Sequence, residues 1–120
     1  MKNKLMLLIL CVGLLTAAVP IPAAWAQSEP QRIEITARRF AYTPTEITVK
    51  KGQPVLLVLK SMDVAHGLRF RELGVNVQVK AGETAQVTFT PDKAGDFVGH
   101  CSVFCGSGHG SMTFTLHVVA

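Results

Sequence analysis

The stretch CSVFCGSGHGSM, residues 101–112, brings together four side chains that bind soft or borderline metal ions. These are Cys101, Cys105, His109 and Met112. Their spacings of 4, 4 and 3 residues would place all four on one face of a helix. A helix is disfavoured because Gly106, Gly108 and Gly110 fall within five residues, and each glycine costs a helix interior about 1 kcal/mol relative to alanine. A glycine-rich loop can instead fold tightly and let the four side chains converge.

The ligand types in this loop favour copper. Thiolate and thioether sulfur suit Cu(I), and imidazole suits either oxidation state of copper. Zinc accepts cysteine and histidine ligands in a tetrahedral site, but it has no use for Met112, which taken alone would be a core residue at the start of a strand. An oxidising compartment would also permit a disulfide between Cys101 and Cys105, although a bridge that closes so short a loop stabilises a fold weakly.

A second imidazole is needed, and the histidines outside the loop are His66, His100 and His117. His117 alternates with apolar neighbours, which predicts an ordinary surface residue. His100 directly precedes Cys101 and is predicted to point to the opposite face. His66 follows a continuous apolar strand, and Gly67 after it lets another backbone segment approach closely. His66 is therefore the better candidate.

The apolar residues after position 31 recur at period two, the pattern of strands with one buried face. The predicted inward-facing residues are Ile33, Ile35, Ile47, Val49, Val75, Val77, Val79, Ala85, Val87, Phe89, Met112, Phe114, Leu116 and Val118. The continuous apolar run 55–59 predicts a central strand, and no window shows a helical repeat. Glycine and proline turns separate the segments. The predicted fold class is all-β, a sandwich of antiparallel strands.

The N-terminus has the pattern of a secretory signal. Lys2 and Lys4 precede a 15-residue apolar run, which is short for a membrane span of about 20 residues. The sequence AWA ending at Ala26 has the small-x-small form of a cleavage site. We expect cleavage near Ala26 and a periplasmic or exported protein. An uncleaved N-terminal anchor is the alternative, and membrane contact is expected only through such an anchor or through a complex.

These features divide the chain into a signal peptide over residues 1–26, a short tether over 27–30 and one domain over 31–120. The net charge is +4, of which the signal lysines contribute two. Basic and aromatic residues are not interleaved, so nucleic-acid binding has little support. No nucleophile and base pair or paired carboxylates indicate an active site, so the domain is not predicted to be an enzyme by itself.

His66 lies 35 residues before Cys101, and the pattern Cys-x3-Cys-x3-His-x2-Met follows. This arrangement resembles the binuclear CuA site of cytochrome c oxidase subunit II and nitrous oxide reductase. The resemblance covers essentially the whole predicted domain and implies a cupredoxin-like Greek-key β-sandwich.

The resemblance also implies the roles of the site residues. Cys101 and Cys105 would bridge two copper ions as thiolates, and His66 and His109 would each bind one copper. Met112 would be a weak ligand. The main-chain carbonyl of Val103 would complete the set.

Three departures from the family pattern favour a free-standing periplasmic domain. Many oxidase subunits have glutamate, which also binds a magnesium or manganese ion, at the position of Val103. Those subunits usually have membrane helices before the copper domain. The aromatic patch that receives electrons from cytochrome c is absent, because Trp25 lies in the predicted signal. Phe97 and Phe104 are interpreted as core residues, with shielding of the sulfurs as the alternative.

The leading interpretation is a one-electron carrier with a binuclear copper centre, whose partner is a cytochrome or a terminal oxidase or reductase. A mononuclear blue-copper protein is the second, since His66, Cys105, His109 and Met112 alone make such a site. A periplasmic copper carrier or chaperone is the third. Arg69 and Arg71 are interpreted as a solvated strand face, with contact to an acidic partner as the alternative.

Overall fold

The computed structural model of the chain describes residues 13–19 and 29–120. Residues 13–19 have no regular secondary structure. The rest of the predicted signal peptide, with its cleavage site at Ala26, lies outside the described residues, so the signal peptide and the tether stay predictions. Within the described residues, no helix has the length and apolar character that a membrane crossing requires.

Nine strands make up the fold in the part of the chain that the structure describes. They are β1 (Gln31–Arg38), β2 (Ala41–Thr43), β3 (Glu46–Lys50), β4 (Val55–Ser61), β5 (His66–Phe70), β6 (Val75–Val79), β7 (Thr84–Phe89), β8 (Gly95–His100) and β9 (Thr113–Val119). Short 3-10 turns cover Arg71–Leu73 and His109–Ser111. The central strand predicted from the apolar run is β4.

The strands form two sheets, one in the order β2-β1-β4-β7 and the other in the order β3-β9-β8-β5-β6. The predicted all-β sandwich is present, but its strands are not all antiparallel, because β1 pairs with β4 and β3 pairs with β9 in parallel. A period-two pattern shows which face of a strand is buried. It does not show which strand pairs with it or in which direction. Both parallel pairs join strands that are distant in sequence, which requires long connections.

The core lies between the two sheets and is built from the alternating residues. Ile33 and Ile35 of β1 and Phe114 and Leu116 of β9 are at most 2% exposed. The predicted inward residues of β7 are half-buried, since this strand lies at the edge of its sheet. The rings of Tyr42 and Phe70 each pack edge-on against Phe114. The hydrophobic contact between the sheets fixes the relative positions of the strand ends.

His117 lies on the outer face of the second sheet, as predicted, but two carboxylates hold its ring. Its Nδ1 atom is 2.6 Å from Asp96 Oδ1, and its Nε2 atom is 2.9 Å from Glu46 Oε2. These hydrogen bonds, to Glu46 and then to Asp96, raise the pKa of the imidazole above its usual value. The ring therefore connects β3, β9 and β8 through its two hydrogen bonds.

His117→Gln is expected to lower the free energy of unfolding more at acid pH than at alkaline pH. A histidine pKa that is higher in the folded state stabilises below the unfolded pKa of about 6.5 and loses this contribution as the pH rises through the folded pKa. Urea unfolding of metal-free, reduced protein at about pH 5.5 and about pH 9 measures the difference.

His100→Gln is the matched control, because within the described residues the ring of His100 forms no salt bridge. A loss of stability in His117→Gln that is the same at both pH values would contradict the prediction.

Candidate metal centre

The ligand loop and His66 meet at one end of the sandwich. Strands β8 and β9 are antiparallel, and their last pair joins His100 to Thr113. The main-chain N–H of Cys101 donates to the carbonyl of Met112 at 3.3 Å, which closes the base of the loop. His66 begins β5, which pairs with both β8 and β6. Strand pairing thus brings together ligands that are 35 residues apart in sequence.

The two cysteines of the ligand loop are free thiols, and both are buried. Their Sγ atoms lie 3.6 Å apart, and the thiol of Cys101 donates to the carbonyl of Val103 at 3.1 Å. Cys105 Sγ is 3.8 Å from His109 Nδ1 and 3.9 Å from Met112 Sδ. The loop therefore gathers two thiols, a thioether, an imidazole and a carbonyl around one small volume.

His66 completes this cluster from the neighbouring strand. Its side chain is fully buried, and its donor atom and the two cysteine sulfurs all lie within 4.8 Å of one another. The Nδ1 atom of His66 is buried without a hydrogen-bond partner. A buried polar atom without a partner is costly, and a metal ion would satisfy it. The donor set thus fits a soft or borderline metal.

Asp63 fixes the orientation of the His66 ring. Its Oδ1 atom is 2.6 Å from His66 Nε2, and its carboxylate also accepts the N–H groups of Arg39 at 2.8 Å and Val64 at 2.6 Å. Desolvation would raise the pKa of Asp63, but these hydrogen bonds outweigh it and lower the pKa to about 2. Because the ionised carboxylate accepts a hydrogen bond from the Nε2–H group, it favours the tautomer in which Nδ1 presents its lone pair.

Arg39 connects the two ligand-bearing segments. Its main-chain N–H donates to the carboxylate that holds His66, while its side-chain Nε donates to the carbonyl of Cys105 at 3.1 Å. Neither Asp63 nor Arg39 was predicted as part of the site. In the sequence, Asp63 could have been noticed as a carboxylate three residues before the candidate ligand His66. No local pattern predicts the contact of Arg39 with Cys105, which is 66 residues away.

Two of the three glycines of the loop pack against Phe40. A Cβ atom at Gly106 would lie 2.8 Å from the Phe40 ring, and one at Gly108 would lie 2.5 Å from it. Gly106 also has a positive φ of 134°. The sequence predicted that glycine lets the loop fold around an ion, and the structure adds that two glycines make room for an aromatic ring from the other sheet.

The close backbone approach predicted at Gly67 is present. A Cβ atom there would overlap Ser102 Oγ and lie 3.1 Å from Ser102 Cβ and 3.2 Å from Ser102 N. Ser102 Oγ donates to Asn76 Oδ1 at 2.9 Å, and the buried hydroxyl of Tyr42 donates to the carbonyl of Gly67. The segment next to Cys101 is thus seated directly on β5.

Burial determines the protonation of the metal-free site. It raises the pKa of Cys105 to about 11, with further contributions from the hydrogen bond and charge of Cys101. Burial, and then the charge of Cys101, raise the pKa of Tyr42 well above its usual value. The Cys105 thiol is therefore protonated at neutral pH without metal, and metal binding at this thiol must release a proton.

The prediction that both phenylalanines are core residues is half correct. Phe97 is buried at 6% exposure, whereas Phe104 is 80% exposed. Phe104 follows Val103 in the irregular part of the loop, where side chains do not alternate as they do in a strand. Its ring centroid lies 5.8 Å from that of His109. His100 is exposed, in agreement with its predicted orientation away from Cys101.

Comparison with known proteins identifies relatives of the chain. The family model for the cupredoxin-like domain matches residues 4–114. Cytochrome c oxidase subunit 2 of Thermus thermophilus is 33% identical over 86 residues, which cover 72% of this chain and 64% of the relative. Nitrous-oxide reductase of Pseudomonas fluorescens is 35% identical over 85 residues, which cover 68% of this chain and 13% of the relative.

A solved structure shows the same fold. The periplasmic domain of subunit II of cytochrome oxidase of Bradyrhizobium japonicum has a TM-score of 0.67 at 21% identity, and the match covers 73% of this chain and 83% of that chain. The matches confirm the predicted cupredoxin-like sandwich and the predicted resemblance to oxidase subunit II and nitrous oxide reductase. They imply copper as the metal for this donor set.

Gly67→Ala is expected to destabilise the fold by about 1 to 3 kcal/mol, because the added methyl group would overlap Ser102 Oγ, which is hydrogen-bonded to Asn76, and would crowd the Ser102 main chain. The change is measured by urea unfolding of the metal-free, reduced protein. Gly110→Ala is the matched control, since its Cβ atom would have open space within 4 Å. Equal stability of the two variants would contradict the close packing of Ser102 on β5.

Proposed function

We propose that this chain, which belongs to the family of cupredoxin-like domains, is an exported one-electron carrier with a binuclear, CuA-type copper centre. The proposed ligands are His66, Cys101, Val103 through its main-chain carbonyl, Cys105, His109 and Met112. The partner would be a cytochrome or a terminal oxidase or reductase. The signal peptide over residues 1–26 would direct the domain over residues 31–120 to the periplasm.

The observation that carries the proposal is the second buried thiol. Cys101 and Cys105 are both free and buried, with their sulfur atoms 3.6 Å apart. A mononuclear site uses one thiolate, which would leave Cys101 without a role beside the other ligands. Two thiolates and two imidazoles would supply enough ligands for two ions, and the carbonyl of Val103 lies 3.1 Å from Cys101 Sγ.

When bound, the copper pair supplies reversible one-electron chemistry. The chain holds the ligands in place, because Asp63 orients His66 and Arg39 holds the carbonyl of Cys105. The burial of both cysteines and of Met112 limits the contact of water with the sulfur atoms. Ligands whose supporting contacts are already made need little rearrangement between two oxidation states.

A mononuclear blue-copper site is the second candidate, and one observation favours it. Cys105 Sγ is the sulfur that lies near both His109 Nδ1, at 3.8 Å, and Met112 Sδ, at 3.9 Å. His66 would be the remaining nitrogen ligand, and Cys101 would stay a buried thiol hydrogen-bonded to Val103.

Reconstitution with copper separates the two candidates. The reduced protein is expected to bind two copper ions per chain, and the oxidised form to give a paramagnetic resonance spectrum in which one electron couples to two copper nuclei. Cys101→Ser is expected to give one copper and a single-nucleus spectrum. One copper in the unaltered protein, with Cys101 open to alkylation, would refute the binuclear centre.

Voltammetry of the loaded protein tests electron transfer itself. The carrier is expected to show a reversible one-electron wave. Stable copper binding without such a wave would instead support the copper carrier or chaperone.

Asp63→Asn is expected to lower the copper affinity by roughly tenfold to a hundredfold, because the partner that orients His66 is weakened. Competition with a chelator of known affinity measures the change. Asp96→Asn is the matched control, since Asp96 contacts His117 rather than a proposed ligand. Equal affinities of the two variants would show that Asp63 does not position His66.

A further inference from the structure

An open cleft of about 480 Å³ lies beside the metal centre on the outer surface. It is lined by Arg69, Arg71, His100, Cys101, Ser102 and His109, and this set is called the arginine cleft below. Cys101 and His109 belong to the proposed metal centre as well. The cleft therefore reaches two of the proposed ligands from the surface.

The alternation of β5 creates this arrangement. His66, Leu68 and Phe70 point inward and are buried, whereas Arg69 points outward and is exposed. Arg69 pairs with His100 across β5 and β8, and Arg71 begins the 3-10 turn that follows. The strand that supplies a ligand to the interior thus supplies the first arginine to the surface.

The two arginines are available to an external partner. Within the described residues, neither guanidinium group forms a salt bridge. Glu72, which lines the adjoining depression together with Arg71, and Asp96 on β8, which is held by His117, form no salt bridge with either arginine. A guanidinium group matches a carboxylate with two parallel hydrogen bonds.

Apolar side chains flank the arginine cleft. Val98 is 49% exposed and lines the adjoining depression together with Arg71 and His100. Phe104, 80% exposed, has its ring 5.8 Å from His109. Exposed apolar side chains beside arginine are typical of protein interfaces, whereas a small anion would be bound by the charged groups alone.

We propose that the arginine cleft, with Val98 and Phe104, is the docking surface for an acidic electron-carrier protein. The identity of the partner as a redox protein rests on the proposed function. One electron would leave the reduced centre of the partner and reduce the oxidised copper centre beside His109. No bond forms or breaks in this step. The partner is recognised by carboxylates around its own redox centre.

The first arm of the test uses metal-free, reduced protein and a synthetic polyglutamate peptide, with polylysine as the opposite-charge probe. Amide shifts in a nuclear magnetic resonance titration are expected to change around residues 69–71, 98–104 and 109 with polyglutamate only. R69S/R71S is expected to weaken this binding by about tenfold, through the loss of two ion pairs.

K50S/K51S is the matched control. It removes the same charge, but Lys50 pairs with Val119 at the end of the sandwich away from the ligand loop. Equal weakening by both double variants, or shifts spread over the whole surface, would show attraction by net charge only and overturn the proposal. Equally tight binding of inorganic phosphate would indicate a small-anion site and overturn it too.

The second arm uses the copper-loaded protein with hexacyanoferrate as the anionic reagent and hexaammineruthenium as the cationic one. The ratio of their rate constants is expected to fall several-fold in R69S/R71S and with added salt, and to stay unchanged in K50S/K51S. An unchanged ratio in R69S/R71S would overturn the proposal. If copper loading fails, the proposed function fails, but the first arm still decides the docking surface.

Discussion

A buried imidazole beside two buried thiols is the constraint on which the rest of this structure depends. The Nδ1 atom of His66 has no hydrogen-bond partner, and the sulfur atoms of Cys101 and Cys105 lie within 4.8 Å of its donor atom. Such a cluster contributes little to the stability of the metal-free chain, because His66 Nδ1 is desolvated without a hydrogen-bond partner. The surrounding sandwich must therefore hold these side chains in place. A bound metal ion would offset the desolvation penalty of His66 Nδ1.

The outer contacts show how the sandwich does this. The segment after β1 supplies Arg39, whose main chain holds Asp63 and whose side chain holds Cys105, and Phe40, whose ring fills the space left by Gly106 and Gly108. This segment belongs to the sheet that contains none of the proposed ligands. Both sheets are thus needed to position the centre, although only one carries it.

The sequence predicted those parts of the fold that depend on local pattern. Alternation identified the buried faces, and the spacing within the loop identified a cluster that the structure also brings together. The parallel pairs and the contact of Arg39 with Cys105 depend on which distant segments become neighbours, and a single sequence contains no direct signal for this. Phe104 was misplaced because an aromatic residue in an irregular loop obeys no alternation.

The same strand geometry couples the interior to the surface. In β5 the buried His66 and the exposed Arg69 are three positions apart. They lie on opposite faces of the sheet because successive side chains of a strand alternate. Gly67 between them lets the Ser102 segment lie directly on the strand. A shift of β5 by one residue would remove the ligand and the surface charge together. The register of this strand therefore sets both the proposed metal centre and the surface through which a partner would reach it.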